Sequence, residues 1–349
     1  MKGKNNMQGI HGGDIYRNKV DLDFSVNINP FGMPKEVTAA LCDAVKQSEL
    51  YPDIVAGELR QEVSRWLSVD EDKLVFGNGA SELFMAIVRA MNPKRTVIPV
   101  PSFYGYQYAL EAVKSDTVFV ELKEENEFLP DDSFLAALTE QTDLLFLANP
   151  NNPTGALLSR EYIHRILQHC HEKNITVVLD ECFIEFCGEE YSFLSEIATY
   201  NNLLVVRAFT KSYAIPGVRL GYLVGNDELL LDKIKKQLPE WNLSVFAQRA
   251  GVACVKAKDY LDETVKYIDS ERKVMKEQLE SLGLRVYDGK ANFLLFYSSK
   301  PLFEVLLSLG ILIRDCSNYK GLSKGYYRVA VKKREENETL WKAIGECIE

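Results

Sequence analysis

Four short segments carry residue types that could do chemistry together. In RAFTKSYAIPGVRLGY, Arg207 to Tyr222, Lys211 follows an apolar run and Arg219 stands eight residues on. A lysine in a protected pocket has its pKa lowered, which frees the amine to form an imine with an aldehyde. In VVLDE, Asp180 closes a run of apolar residues. A carboxylate there is costly to bury unless it meets a positive group or a strong donor. GNGASE, Gly77 to Glu82, puts glycines before a helix predicted to start near Ser81. Free N–H groups and the positive end of a helix dipole would there face a phosphate. NPNNPTG, Asn149 to Gly155, sets asparagines in a turn stiffened by Pro150 and Pro153, so that an amide is held at a fixed place and angle. Each segment also has a plainer reading: a turn capped by Ser81, a proline turn, a helix N-cap at Asp180, a solvated lysine.

The elements that must position these residues are legible as an alternation. Short apolar runs at 95–100, 116–121, 143–148, 175–180 and 202–207 are bounded by polar turns and separated by amphipathic stretches such as 159–173. Strands apolar on nearly every residue, separated by helices, predict an α/β fold with a mostly parallel sheet covered on both faces. Such a sheet binds ligands at the carboxyl ends of its strands, and all four segments fall there. After about residue 240 the pattern changes to long charged helices over 242–282, then strands near 283–297, 310–315 and 326–331 and a closing helix. We therefore expect a large domain over 36–240, a smaller α+β domain over 241–349 and an arm over 1–35 that packs against the latter.

The chain has 349 residues, 46% of them hydrophobic, enough to bury a large core. With 50 Asp and Glu against 41 Lys and Arg it lacks the basic balance of a nucleic-acid binder. Seven cysteines form no CxxC pair and suit no zinc spacing, and they read as reduced thiols of a cytoplasmic protein. The first residues, MKGKNNMQGIHGGDIYR, hold no apolar run of signal-peptide length, and no later segment offers about 18 uncharged apolar residues, so neither export nor membrane insertion is expected.

Together the four segments resemble the fold type I pyridoxal phosphate (PLP) enzymes of the aminotransferase class I and II branch, in order and over nearly the whole chain. The resemblance implies the aspartate aminotransferase-like fold and PLP held as a Schiff base on Lys211. It implies that Asp180 pairs with the pyridinium nitrogen, keeping the ring a good electron sink, and that Asn152 bonds the ring's phenolic oxygen. It gives the cofactor phosphate to Gly79, Ala80, Ser81, Thr210 and Arg219, and the stacking aromatic to Phe103 in PSFYGY. Tyr51, in LYPD, matches a tyrosine that reaches the phosphate of a neighbouring subunit, which implies a homodimer. In one place the chain departs from the pattern: Phe183 stands where the branch usually has a tyrosine that donates to the phenolic oxygen, so a family pH profile does not carry over.

Towards the C-terminus, YYRVAV places Arg328 on a predicted strand, where the branch holds the substrate α-carboxylate; a guanidinium matches a carboxylate bidentately. Arg314, in ILIRDCSNYKGL, offers a second positive group. HGGD (His11 to Asp14), DFSVNINPFG (Asp23 to Gly32) and the two C-terminal segments look most like the L-threonine O-3-phosphate decarboxylases of cobalamin synthesis, close relatives of the histidinol-phosphate aminotransferases. That likeness implies decarboxylation of a phosphorylated amino acid, with His11 and Arg314 suited to the substrate phosphate. Transamination with glutamate or 2-oxoglutarate is the alternative, since both reactions share every cofactor contact. They differ in which bond at the α-carbon stands perpendicular to the ring. A nicotinamide-dependent dehydrogenase fits less well, because Ser81 and Glu82 stand where GxGxxG requires its last glycine.

Overall fold

A computed structural model of the chain describes residues 11–348, so the first ten residues of the expected arm lie outside the described part. Its strands are β1 (Leu22–Asp23), β2 (Leu74–Gly77), β3 (Arg95–Val100), β4 (Asp116–Glu121), β5 (Leu144–Ala148), β6 (Thr176–Asp180), β7 (Leu203–Ala208), β8 (Gly221–Gly225), β9 (Arg285–Val286), β10 (Phe293–Tyr297), β11 (Ile311–Leu312), β12 (Arg314–Asp315) and β13 (Tyr326–Ala330). A seven-stranded sheet has the order β2-β8-β7-β6-β5-β3-β4. Only β8 runs against its neighbours, so the sheet is mostly parallel.

Period-two alternation explains why the central strands read as unbroken apolar runs. In β5, Leu145 and Leu147 enter one core while Leu144, Phe146 and Ala148 enter another, and β6 and β7 divide in the same way. Each face is covered by helices, so no position along the strand is left for a polar residue. The polar residues therefore fall at strand ends. The chain runs from β3 to the edge strand β4 and returns on the other side of β3 as β5. A crevice opens where the order reverses, between the carboxyl ends of β3 and β5.

The second sheet has the order β12-β13-β10-β9 and its own apolar core, which includes Phe293, Leu294, Phe296, Val329 and the face of the closing helix Arg334–Ile348. β1 pairs in parallel with β11, which ties residues near the start of the chain to this region. The charged stretch 242–282 divides into two helices, Val245–Lys256 and Lys258–Ser281. The first of them packs into the core of the large sheet. Two expectations need correction. The segment 310–315 forms two short strands in different sheets, β11 pairing with β1 and β12 with β13. The helix after GNGASE starts at Ala80 on Gly79, with no side-chain cap, so Ser81 lies inside its first turn and does not cap it.

Candidate active site

The crevice between β3 and β5 deepens into a cavity of about 390 Å³, closed on the far side by residues of β12, β13 and the segment 11–27. Ala80, Ser81, Phe103, Asn152, Asp180, Thr210, Lys211, Arg219, His11, Arg314 and Arg328 all line it. Phe183 lines it too, its ring edge-on to Phe293, so no hydroxyl stands at that position.

Lys211 lies on the short helix Phe209–Ser212 directly after β7. Burial, and then the charge of Arg328, bring its amine down to about 8. Asp180 ends β6; its Oδ1 accepts from the Cys182 N–H at 2.9 Å and its Oδ2 from the Tyr106 hydroxyl at 2.5 Å. Burial raises its pKa, and the two donors pull in the opposite direction. Arg219 has φ of +63° and leans over the glycine turn, where its Nη2 would lie 2.4 Å from a Cβ added at Gly79. A Cβ at Gly221 would meet the Ala80 nitrogen at 2.8 Å. Both glycines are thus required for the guanidinium and the backbone of 79–81 to close on one spot beside Thr210.

The three asparagines of NPNNPTG separate into distinct tasks. Asn149 Oδ1 accepts from Leu158 N at 2.8 Å, and Asn151 Nδ2 donates to the Pro101 carbonyl at 2.9 Å, joining the loop after β5 to the loop after β3. Asn152 reaches the cavity, where its Oδ1 accepts from Arg328 Nη1. Arg328 sits in the middle of β13, between β10 and β12, and is not the residue of an edge strand. Its Nη2 donates to the Ser25 carbonyl at 2.8 Å, while its Nε is buried with no hydrogen-bond partner. Arg314 is paired with Arg328 in the β-ladder. Its Nη2 donates to Asn318 Oδ1 at 2.7 Å and its guanidinium lies 5.2 Å over the ring of Tyr319. The His11 ring packs against Phe103 at 5.9 Å. Burial, then the charges of Arg314, Arg328 and Lys211, lower its pKa.

Tyr51 lies apart from these residues. It is 83% exposed and packs against Trp241 at 5.1 Å, on a surface that also exposes Leu50, Ile54 and Val55. Within one chain it does not reach the cavity. Tyr106, Tyr319, Ser25 and Asn27 line the cavity and were not singled out in the sequence. Tyr106 stands three residues after Phe103 in the same PSFYGY segment, a helical spacing that returns it to the same side. Ser25 and Asn27 alternate in DFSVNINPFG, the pattern of an extended segment with one face turned inward. Nothing local marks Tyr319, which sits in a polar turn.

Fold and cavity define a cofactor-dependent enzyme built on a mostly parallel sheet, and the chain belongs to the aminotransferase class I and II family, whose model matches residues 19–344. Among its relatives, a putative threonine-phosphate decarboxylase of Caldanaerobacter subterraneus subsp. tengcongensis is 37% identical over 96% of this chain and 92% of its own length. The threonine-phosphate decarboxylase of Salmonella typhimurium is 36% identical over 93% and 90%. The crystal structure of the histidinol-phosphate aminotransferase from Clostridium acetobutylicum superposes with a TM-score of 0.88 at 33% identity, covering 94% of this chain and 99% of that one.

The cofactor of this site is pyridoxal phosphate, and the described residues fit it. Lys211 is the one lysine lining the cavity, Asp180 is a buried carboxylate with no cation of the protein among the influences on its acidity, and the glycine turn with Arg219 forms an anion cradle.

Proposed function

We propose that this chain decarboxylates L-threonine O-3-phosphate, releasing carbon dioxide and (R)-1-amino-2-propanol O-2-phosphate. The observation that carries the reading is the pairing of Arg314 with Arg328 on adjacent strands, both 5% exposed and both in the wall opposite Lys211. Two guanidiniums side by side suit a substrate with an anion at each end. The relatives named threonine-phosphate decarboxylase support the same substrate.

Pyridoxal phosphate would be held by Lys211 at its aldehyde, by Asp180 at its ring nitrogen, by Asn152 at its phenolic oxygen, by Phe103 against its face and by Gly79, Ala80, Ser81, Thr210 and Arg219 at its phosphate. When bound it supplies an electron-accepting ring conjugated to the substrate α-carbon. Arg328 takes the α-carboxylate from the cavity wall, and its contact with Asn152 ties that grip to the cofactor end of the cavity. Arg314 and His11 take the substrate phosphate, whose negative charge would work against the burial and the neighbouring cations that lower the His11 pKa. Held at both ends, the substrate presents one α-carbon bond to the ring and not another, and this hold selects the reaction. The Lys211 amine would carry the proton that takes the place of the departing carboxylate on the α-carbon.

The exposed apolar surface around Tyr51, with Leu50, Ile54 and Val55, suits a second copy of the chain whose Tyr51 completes the cradle, so the active form is a homodimer. Among the described residues no helix is long and apolar enough to cross a membrane. The test of function is incubation with L-threonine O-3-phosphate alone. The proposal expects carbon dioxide and the amino-alcohol phosphate without consumption of an α-keto acid. Glutamate-dependent conversion of histidinol phosphate or another amino acid with no gas released, and threonine phosphate inert, would move the chain to the aminotransferases.

A further inference from the structure

Tyr106 is not used by any step above, yet its surroundings fix it closely. Its ring stacks on Phe146 with centroids 4.9 Å apart and an interplanar angle of 9°. Phe84 at 5.1 Å and Phe103 at 5.7 Å pack edge-on against it. The residue is 1% exposed, and its one polar side-chain atom donates to Asp180 Oδ2 at 2.5 Å. A hydroxyl in an aromatic cage bonds where the cage aims it, because no water competes. Around Asp180 the protein supplies two donors, Tyr106 and Cys182; beyond them stand Tyr319, Lys211 and Glu185, which act on Tyr106 or on Cys182.

We propose that Tyr106 is a positioning residue for Asp180: its hydroxyl fixes the carboxylate in one orientation and keeps it a weaker base than the ring nitrogen of pyridoxal phosphate. The inference rests on the assignment of Asp180 to that nitrogen. A donor to the charged form of a carboxylate favours the charged form. With Tyr106 in place the proton shared between nitrogen and Asp180 stays on nitrogen, and the ring keeps the positive charge that makes it an electron sink. Without the donor Asp180 becomes more basic and draws that proton onto oxygen. Because Phe103 packs on Tyr106, one side chain links the wall over the ring's face to the group at its edge.

Holoenzymes of the wild type, Tyr106→Phe and Asp180→Asn, loaded with cofactor carrying 15N at the ring nitrogen, test this. Tyr106→Phe removes one oxygen and keeps the aromatic cage. Its kcat should fall roughly tenfold to a hundredfold, the worth of one hydrogen bond to a charged group, with KM little changed. Its 15N resonance should move toward the unprotonated ring, in the direction that Asp180→Asn moves it. An unmoved resonance in Tyr106→Phe beside a moved one in Asp180→Asn overturns the proposal and leaves the Asp180 assignment standing. An unmoved resonance in both overturns that assignment and the proposal with it. Should Tyr106→Phe not retain cofactor, Phe146→Leu loosens the stack while keeping the phenol and should move the resonance part of the way; the wild-type value there overturns the proposal.

Discussion

Asp180 and Glu181 are consecutive residues, and the strand alternation sends them to opposite faces of the sheet. Glu181 is fully buried: Oε1 accepts from Phe193 N at 2.7 Å, Oε2 from Ser192 Oγ at 2.9 Å and from Arg207 Nε at 3.0 Å. Arg207, also fully buried, spends its remaining donors on both oxygens of Glu189 and on Ser192. On the other face, no cation among the described residues enters the influences on Asp180, and Arg328 keeps a buried Nε without a partner. Both regions bury an arginine and a carboxylate, so burial of charge does not separate structure from function here. Saturation of the guanidinium does. Arg207, with all three nitrogens matched, holds the fold, whereas Arg328, with its Nε unmatched, belongs to the cavity wall that meets a ligand.

The largest effect should follow from removing the open region's nucleophile. Lys211→Ala should cut turnover more than about 10³-fold with far-UV circular dichroism unchanged, since only the covalent link and the proton carrier are lost. A variant that keeps turnover and a borohydride-reducible adduct would end the assignment. In the wild type the free amine is the reactive form and its pKa lies near 8. Cofactor uptake by the apoprotein should therefore speed up as pH rises and level off above about 8, measured by stopped-flow absorbance. In the saturated region the loss should appear in stability. Arg207→Met strands Glu181 without its cation, and urea unfolding should report a loss of about 3–5 kcal/mol with kcat per folded molecule little changed. A large fall in kcat at unchanged stability would mean that the two faces are coupled.

How legible was this division in the sequence? The strands are, because a strand covered on both faces must be apolar at every position, and the departures from that rule, Asp180, Arg207 and the loop after β5, mark the strand ends. Lys211 could be chosen because it follows an apolar strand within a turn, and Arg219 because it stands eight residues on, where the resemblance places a phosphate ligand. Tyr106 and Tyr319 could not. Tyr106 looks like one more core aromatic in PSFYGY, and only the ladder that brings β3 beside β5 and β6 puts its hydroxyl on Asp180. Tyr319 comes from the turn between β12 and β13 to stand 3.4 Å from Asn152, a contact across 167 positions of the chain. Strand β8 was unread as well, since GYLVG is short and follows directly on the chemistry-bearing segment.

An intermediate effect is expected at the open region's outer edge. Arg314→Ala should weaken binding of L-threonine O-3-phosphate by about 2 kcal/mol while leaving unphosphorylated threonine nearly unaffected, because a charge-assisted contact is lost only with the phosphate. Competition binding to the holoenzyme measures both. Equal loss for the two ligands would place the phosphate elsewhere and remove the observation on which the substrate proposal stands.

The last expected effect lies in the saturated region and probes whether it is fully saturated. Glu185 is 4% exposed and stands 3.7 Å from Arg207, but its Oε2 has no partner, because Glu181 and Glu189 already occupy the guanidinium. Burial lifts its pKa from 4.5 to about 8, with Arg207 opposing and Glu189 and Glu181 adding to the rise. The folded chain then holds a proton that the unfolded chain releases above its own lower pKa. The stability this group contributes is present below about pH 4.5 and is lost as pH rises through about 8. Glu185→Gln fixes the neutral form. Its urea midpoint should match the wild type near pH 5, gain on it as pH rises, and level off above about 8. Parallel curves for the two proteins across that range would show Glu185 ionised at neutral pH. The Arg207 cluster would then hold three carboxylates on one guanidinium, and the contrast between a saturated face and an open one would have to be drawn without it.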